Sequence, residues 1–292
     1  MASLLGIDLG GTKTLIAQYD DETLMLKASK VFPTHAGKTY EEVSIALLSQ
    51  IQEMRLQDTI AIGIGVPGFV EASSGRILTM PNIAESEGKD LRSRIATETG
   101  VPVVIDNDVR CFALGEALFG AGKGESVVIG VTLGTGVGGG IVIDGDVFRG
   151  ANGCAGEIGH MLLVPGHPPY STPNMRGEVE QFFSGTAIGK RCTSARNPSD
   201  FLSGSECSFL HPAIYEELAW FIVNLTHAFD PSVIIFGGAV GRALTQHVQK
   251  IEEALSNWMM PNVPFPRLII SQFPDAAPKG AAELARRMIR HS

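Results

Sequence analysis

GIDLGGT at residues 6–12 and GVTLGTG at residues 130–136 follow one plan: an apolar strand runs into a glycine-rich turn, and a second strand follows. A turn with few side chains in the way is a hairpin that other groups can approach closely. Its recurrence in the second half predicts a duplicated α/β fold, two halves of like architecture with a cleft between the copies. A chain of 292 residues is long enough to divide in this way.

The rest of the chain fills in both halves. Residues 4–9 and 14–19 read as strands, with the polar DDET turn after the second. A helix is expected at about 40–54, and IAIGIGVPG (60–68) reads as a nearly continuous apolar strand. A second helix at about 88–98 leads into VPVVIDND, whose unbroken VVI fits a strand covered on both faces. In the second half SVVIGVTL (126–133), the turn GTGVGGG and IVIDGD (141–146) repeat the opening hairpin. Residues 147–210 are irregular, with PGHPPYSTPN (165–174) as the clearest loop. Helices are expected at 213–229, 240–258 and 278–290, with strands VIIFGG (233–238) and RLII (267–270) between them.

Charge and composition narrow the partners. A net charge of −8 with no basic run and no aromatic-plus-basic stripe argues against nucleic acid or an anionic membrane. A small anion held by backbone N–H groups is still compatible, because those groups do not enter the charge count. The N-terminus has neither a basic flank nor a long apolar segment, so no signal peptide or spanning helix is expected and the cytoplasm is the default compartment. Cys111, Cys154, Cys192 and Cys207 show no CxxC spacing and read as reduced, mostly buried thiols.

A phosphate needs several donors converging from one side, and successive backbone N–H groups supply them where no Cβ blocks the approach. Gly10, Gly11, Thr12 and Lys13 can do this in the first half, and Gly134, Thr135 and Gly136 in the second. Asp8 stands at the carboxyl end of an apolar strand, where ligands of α/β sheets collect. Beside phosphates it would repel them unless Mg²⁺ lay between, directly or through water, so a Mg²⁺-nucleotide explains Asp8 better than a bare dinucleotide. Simpler readings stand beside these: each glycine set as a plain hairpin turn, and Asp8 as a cap on its own turn.

Together GIDLGGTKT, GIGVPG, Asn107-Asp108, LGTGVGGG, CAGEIGH and VIIFGG resemble the ROK family of bacterial sugar kinases, within the actin/Hsp70/hexokinase superfamily. The motifs run in family order from residue 6 to about 240, and the closing GAA (280–282) resembles the family's C-terminal helix. The resemblance implies a two-lobed, actin-like (ribonuclease H-like) fold. One lobe takes residues 1–108 plus 278–292; the other takes 109–277, with a sugar-binding insertion at about 147–210. It also implies ATP in the interdomain cleft, phosphoryl transfer to a hexose and often a homodimer. Gly237 and Gly238 would then lie near the adenosine.

VVIDND (103–108) places polar residues directly after a buried strand. A kinase acting on a hydroxyl needs a carboxylate within hydrogen-bond reach of it, and Asp108 is the candidate base. The resemblance agrees, matching Asp108 to the family's catalytic aspartate and Asn107 to a sugar-hydroxyl ligand. Asp108 can also be read as the N-cap of the helix VRCFALGEALFG. Arg110 stands where the family more often has Asn. Glu157 and His160, three apart, share one face of a helical turn and can serve adjacent hydroxyls; the resemblance carries them to the family's sugar-binding glutamate and histidine. Glu180 matches the glutamate that closes the family motif and reaches the sugar.

The family pattern fails in one place. Most members follow the histidine with CxCGxxGC, three thiolates that bind zinc together with a histidine. Here STPNMRGEVE puts Ser171, Pro173 and Glu178 at those positions, so no structural zinc is expected. The favoured function is ATP- and Mg²⁺-dependent phosphorylation of a free hexose at the 6-hydroxyl, glucose first. N-acetylglucosamine, N-acetylmannosamine, fructose and allose are alternatives. A sugar-responsive regulator is disfavoured, because Asp8 already ends the first strand and leaves no room for a DNA-binding domain before it. A non-catalytic nucleotide- or sugar-binding scaffold is disfavoured because Asp8 and Asp108 are both present.

Overall fold

The computed structural model describes residues 2–34, 37–55, 57–71, 74–80, 83–194, 202 and 204–291. The chain divides into two compact units. The first takes Met1–Gly120, Val147–Ala155 and Phe273–Ser292, the second Ala121–Asp146 and Gly156–Gln272.

In the first unit, β1 (Ser3–Leu9), β2 (Lys13–Asp20), β3 (Leu26–Pro33), β4 (Thr59–Val66) and β7 (Val103–Asn107) form a sheet in the order β3-β2-β1-β4-β7. The first two pairings are antiparallel, and β1–β4 and β4–β7 are parallel. A short antiparallel pair, β5 (Phe69–Val70) with β6 (Ile77–Thr79), lies apart from it. Strand alternation divides the core. Leu5, Ile7 and Leu9 pack on one face with residues of α1 (Tyr40–Met54) and α2 (Leu91–Thr99). Leu4 packs on the other with Ala282 and Ala285.

Local signals set the helix ends. Thr39 and Glu42 make a reciprocal capping box at the start of α1. Asp90 caps α2, which ends on Gly100 in the left-handed region at φ 70°. The helix α3 (Asp108–Phe119) and the last helix, α9 (Ala276–Arg290), both lie in this unit. The α9 backbone comes so close to the sheet that a Cβ on Gly6 would lie 1.9 Å from the Pro278 carbonyl oxygen, and one on Gly63 1.8 Å from that of Ala281.

The second unit repeats the plan with β8 (Val127–Leu133), β9 (Val137–Ile143), β10 (Asp146–Val147), β11 (Val233–Gly237) and β12 (Arg267–Ile270), in the order β10-β9-β8-β11-β12. Again the opening hairpin is antiparallel and the strands beyond it are parallel. Its core joins these strands to α4 (Glu180–Phe183), α5 (Gly185–Arg191), α6 (His211–Phe229), α7 (Gly238–Ala243) and α8 (Val248–Leu255). The duplicated α/β plan that the two glycine hairpins imply is therefore present in both sheets.

Four local expectations need correction. The second hairpin turn is shorter than GTGVGGG suggests: β9 begins at Val137 and Asp144-Gly145 is a turn. Gly139 sits inside that strand because a Cβ there would lie 2.4 Å from the Ile158 side chain. The helix expected over 240–258 is broken into α7, a 3₁₀ turn at Leu244–Gln246 and α8. At the break the His247 ring is held by the Tyr215 hydroxyl at 2.6 Å and the Leu202 carbonyl at 2.6 Å. Strand β3 is an addition to the expected elements: LKASKVFP is a mostly exposed edge with lysines rather than an alternating apolar run. Finally, the cysteines are not all reduced. Cys192, at the end of α5, and Cys207, just before α6, form a disulfide with Cα atoms 5.9 Å apart, leaving Cys111 buried and Cys154 exposed as free thiols. No helix among the described residues is long and apolar enough to cross a membrane.

Candidate active site

The first unit gathers Asp8, the Gly10–Lys13 turn, Asn107 and Asp108. Among the described residues the N–H groups of Gly10, Gly11 and Thr12 meet no backbone acceptor. Adjacent backbone donors left open on a turn are groups that an anion can use. Asp8 makes no side-chain hydrogen bond among the described residues, and desolvation pushes its pKa up to about 6, with Lys13 pulling the other way. A desolvated carboxylate beside open N–H groups is the donor set on which Mg²⁺ with phosphate oxygens is held: one or two carboxylates, the rest phosphate and water. The residues present therefore fit a Mg²⁺-nucleotide.

Strand β7 delivers Asn107 and Asp108 at its carboxyl end. Asn107, not Asp108, is the N-cap of α3: its Oδ1 accepts from the N–H groups of Val109 at 2.9 Å and Arg110 at 3.1 Å. Its Nδ2 donates to the Gly68 carbonyl at 3.0 Å, which fixes the amide orientation and leaves one N–H for a ligand. Asp108 begins the helix and accepts from the Val109 N–H at 2.9 Å. It is held against β4 so tightly that a Cβ on Gly65 would lie 3.0 Å from the Asp108 Cα. Gly65 and the Gly68 carbonyl of GIGVPG thus seat the Asn107-Asp108 corner.

Behind that corner lies a cluster the sequence reading did not see. The Asp106 carboxylate, 6% exposed, accepts from Arg110 Nη1 at 3.3 Å and from Arg149 Nε and Nη2 at 3.1 and 2.5 Å. Arg110, 2% exposed, also donates to the carbonyls of Gly153 and, at 3.2 Å, Ala155. The departure from Asn at position 110 therefore has a structural counterpart: a guanidinium that ties the first turn of α3 to the 149–155 segment. Its signal in the sequence was the i, i+4 charge pair in DNDVR.

The second unit holds the other group. In its glycine turn the Gly134 N–H is taken by the Gly136 carbonyl at 3.0 Å and the Val137 N–H by Glu180 Oε2 at 2.9 Å. The N–H groups of Thr135 and Gly136 meet no backbone acceptor among the described residues. A Cβ on Gly136 would lie 2.3 Å from Glu180 Oε2, so a larger residue there would displace that carboxylate from the Val137 N–H. Gly238, at φ 80°, follows Gly237 at the end of β11, and a Cβ on it would lie 2.3 Å from the Leu133 carbonyl oxygen beside the same turn.

Glu157 caps a 3₁₀ turn, Ile158–His160, and both Glu157 and His160 are exposed. The His160 Nδ1 lies 2.9 Å from Glu178 Oε2, and this hydrogen bond, reinforced by the charges of Glu178, Glu180 and Glu157, raises the His160 pKa against opposing desolvation. Glu180 thus contacts the glycine turn at Val137 and adds to the acidic field on His160. Glu178 was read from sequence only as a missing thiolate; the structure makes it the partner of His160. Among the described residues no group of three or more His, Cys, Asp or Glu is placed to hold a metal ion.

Comparison with known proteins extends over nearly the whole chain. The model of the ROK family matches residues 4–288. A glucokinase of Streptomyces coelicolor is 31% identical, over 98% of this chain and 98% of that one. An N-acetyl-D-glucosamine kinase of Photobacterium profundum is 28% identical, over 96% and 98%. Among solved structures, a ROK family glucokinase from Streptomyces griseus in complex with glucose and AMPPNP superposes with a TM-score of 0.78 at 30% identity, covering 98% of this chain and all of that one.

Proposed function

The chain belongs to the ROK family, and from that premise we propose that it transfers the γ-phosphoryl group of ATP to the 6-hydroxyl of a free hexose, with glucose the favoured acceptor. ATP-dependent sugar phosphorylation is the coarse reading, and it rests on kinases of glucose and of N-acetylated hexosamines among the relatives. The similar structure with glucose and an ATP analogue supports both substrates. Glucose is placed first on the glucokinases that match over 98% of this chain at 31% identity; N-acetylglucosamine is the second reading, since its kinases match at similar identity, 28–32%, over 80–96% of it.

The observation that carries the proposal is the Asn107-Asp108 corner, a carboxylate fixed at the end of β7 by a neighbour that takes over the helix cap. In this reading Asp108 accepts the proton of the attacking hydroxyl, so that an alkoxide need not form unaided. Asn107 orients the acceptor through its remaining N–H, and Glu157, His160 and Glu180 bind the other hydroxyls. The open N–H groups of Gly10–Thr12, with Lys13, and those of Thr135 and Gly136 hold phosphate oxygens, and Gly237 and Gly238 give the adenosine a surface without side chains. Mg²⁺ near Asp8, when bound, would neutralise charge on the phosphates. The reading requires residues of both units to act on one pair of substrates.

The test is Asp108→Asn. Because Asn107 caps α3, the substitution should leave the thermal midpoint within a few degrees of the parent while kcat falls on the order of 10²-fold or more. Equal turnover by the variant and the parent on the preferred sugar would remove Asp108 from the chemistry.

A further inference from the structure

Glu178 is anchored from behind. It forms an isolated antiparallel bridge with Leu162, flanked by Val179 N–H donating to the Met161 carbonyl at 2.9 Å and Leu163 N–H to the Gly177 carbonyl at 2.8 Å. Gln181 Oε1 accepts from the N–H groups of Gly177 at 2.8 Å and Glu178 at 3.0 Å, and its amide reaches back to the Asn174 carbonyl at 2.5 Å. The Glu178 side chain is 5% exposed, its Oε1 2.7 Å from Arg176 Nε and its Oε2 2.9 Å from His160 Nδ1. His160, by contrast, has a side chain 58% exposed, and its Nε2 meets no partner among the described residues. One end of the imidazole is thus held by a fixed, desolvated carboxylate, and the other faces outward.

We propose that Glu178 is a positioning residue for the sugar: by accepting from Nδ1 it fixes the His160 ring and commits Nε2 to a substrate hydroxyl. The carboxylate does this at the position of a thiolate that most relatives would give to zinc, and without a metal. With Nδ1–H donated to Glu178, a neutral His160 presents Nε2 as an acceptor; the protonated ring presents Nε2–H as a donor. The groups facing the ring are Glu178, Glu180 and Glu157, all acidic, with Arg176 on the far oxygen of Glu178. Their combined field favours the protonated ring, so its donor form extends to higher pH than a free histidine would allow.

This inference rests on His160 being a sugar ligand, and the experiment separates the two. Steady-state kinetics of Glu178→Ala, Glu178→Gln and His160→Gln on the preferred sugar are paired with ¹⁵N NMR of the His160 ring. Glu178→Ala should raise the sugar KM about tenfold, the scale of losing a partner that orients a ligand-binding histidine. The KM for ATP and kcat should stay within about twofold. Glu178→Gln, whose amide oxygen still accepts, should fall between parent and Ala, and the pH transition of the sugar KM should move to lower pH as the anion is lost. The parent ring should show Nδ1 protonated, a signature absent in Glu178→Ala. If His160→Gln raises the sugar KM while both Glu178 variants leave it unchanged, the positioning role is overturned and the kinase reading stands. If His160→Gln itself leaves the sugar KM unchanged, His160 is no sugar ligand and both inferences fall. Should Glu178→Ala not fold, Glu178→Gln decides: lower thermal stability with unchanged KM and pH profile makes Glu178 structural only.

Discussion

A guanidinium that is 2% exposed needs partners for its N–H groups, and Arg110 donates to Asp106 and to the carbonyls of Gly153 and Ala155. Truncating one member of such a cluster strands the others, at a cost of about 3–5 kcal/mol. Arg110→Ala should therefore lower stability by that order in chemical denaturation and also lower kcat, because the same residue lies two positions after Asp108. A loss near zero would mean that water replaces the guanidinium. Asp8 gives a prediction with a sign. Its folded pKa, about 6, lies above the ordinary 3.8, so the stability tied to its neutral form is fully present below 3.8 and lost as pH rises through 6. The shift amounts to roughly 3 kcal/mol at neutral pH. Without Mg²⁺ the thermal midpoint of the parent should therefore change between pH 3.8 and 6 less favourably than that of Asp8→Asn as pH rises, and Mg²⁺ should stabilise the parent more above pH 6 than below 3.8. Parallel melting profiles for the two proteins would contradict this. Asp8, the glycines and Asn107-Asp108 were legible as residues because each stands beside glycine or at a strand end. The roles of Glu178 and Arg149 were not, because their partners lie 18 and 43 positions away, and Arg110 showed only its local pair with Asp106, not its bond to Gly153.

Elements in this chain are seated by glycines where backbones touch. On the first sheet α9 lies across β1 and β4 at Gly6 and Gly63, and the same helix approaches α3 through Gly280, where a Cβ would lie 1.9 Å from the Cys111 carbonyl oxygen. None of these carbonyls is the end of a flexible side chain, so a methyl at Gly63 must push the helix off the sheet. Gly63→Ala should cost on the order of 3 kcal/mol or more, read as a lower denaturation midpoint. A variant as stable as the parent would show that α9 is not closely packed there. The strand–turn–strand pattern and α1 over Tyr40–Met54 were readable from local chemistry, whereas the end of the second turn was not. A run of three glycines looks like a turn until Ile158 is seen to fill the space beside Gly139. The disulfide was equally invisible, since two cysteines 15 residues apart become neighbours only once α5 and the start of α6 are placed.

At the scale of the whole molecule the duplication is the organising fact: two sheets of the same strand order, each opening with a glycine hairpin that leaves backbone donors open. The first unit brings a carboxylate, an asparagine and an acidic strand end; the second brings a histidine with three glutamates near it, one of which, Glu180, also holds the glycine turn. The proposed reaction draws on both sets, so it is tested on the intact chain. The most direct measurement incubates the intact protein with ATP and Mg²⁺ and, in turn, glucose, fructose, mannose, N-acetylglucosamine, N-acetylmannosamine and allose, following ADP and the sugar product by ³¹P NMR. The account predicts ADP and a hexose 6-phosphate in equal amounts, fastest with glucose and absent without sugar. ATP turnover with no phosphorylated sugar, or no turnover with any member of the panel, would contradict it.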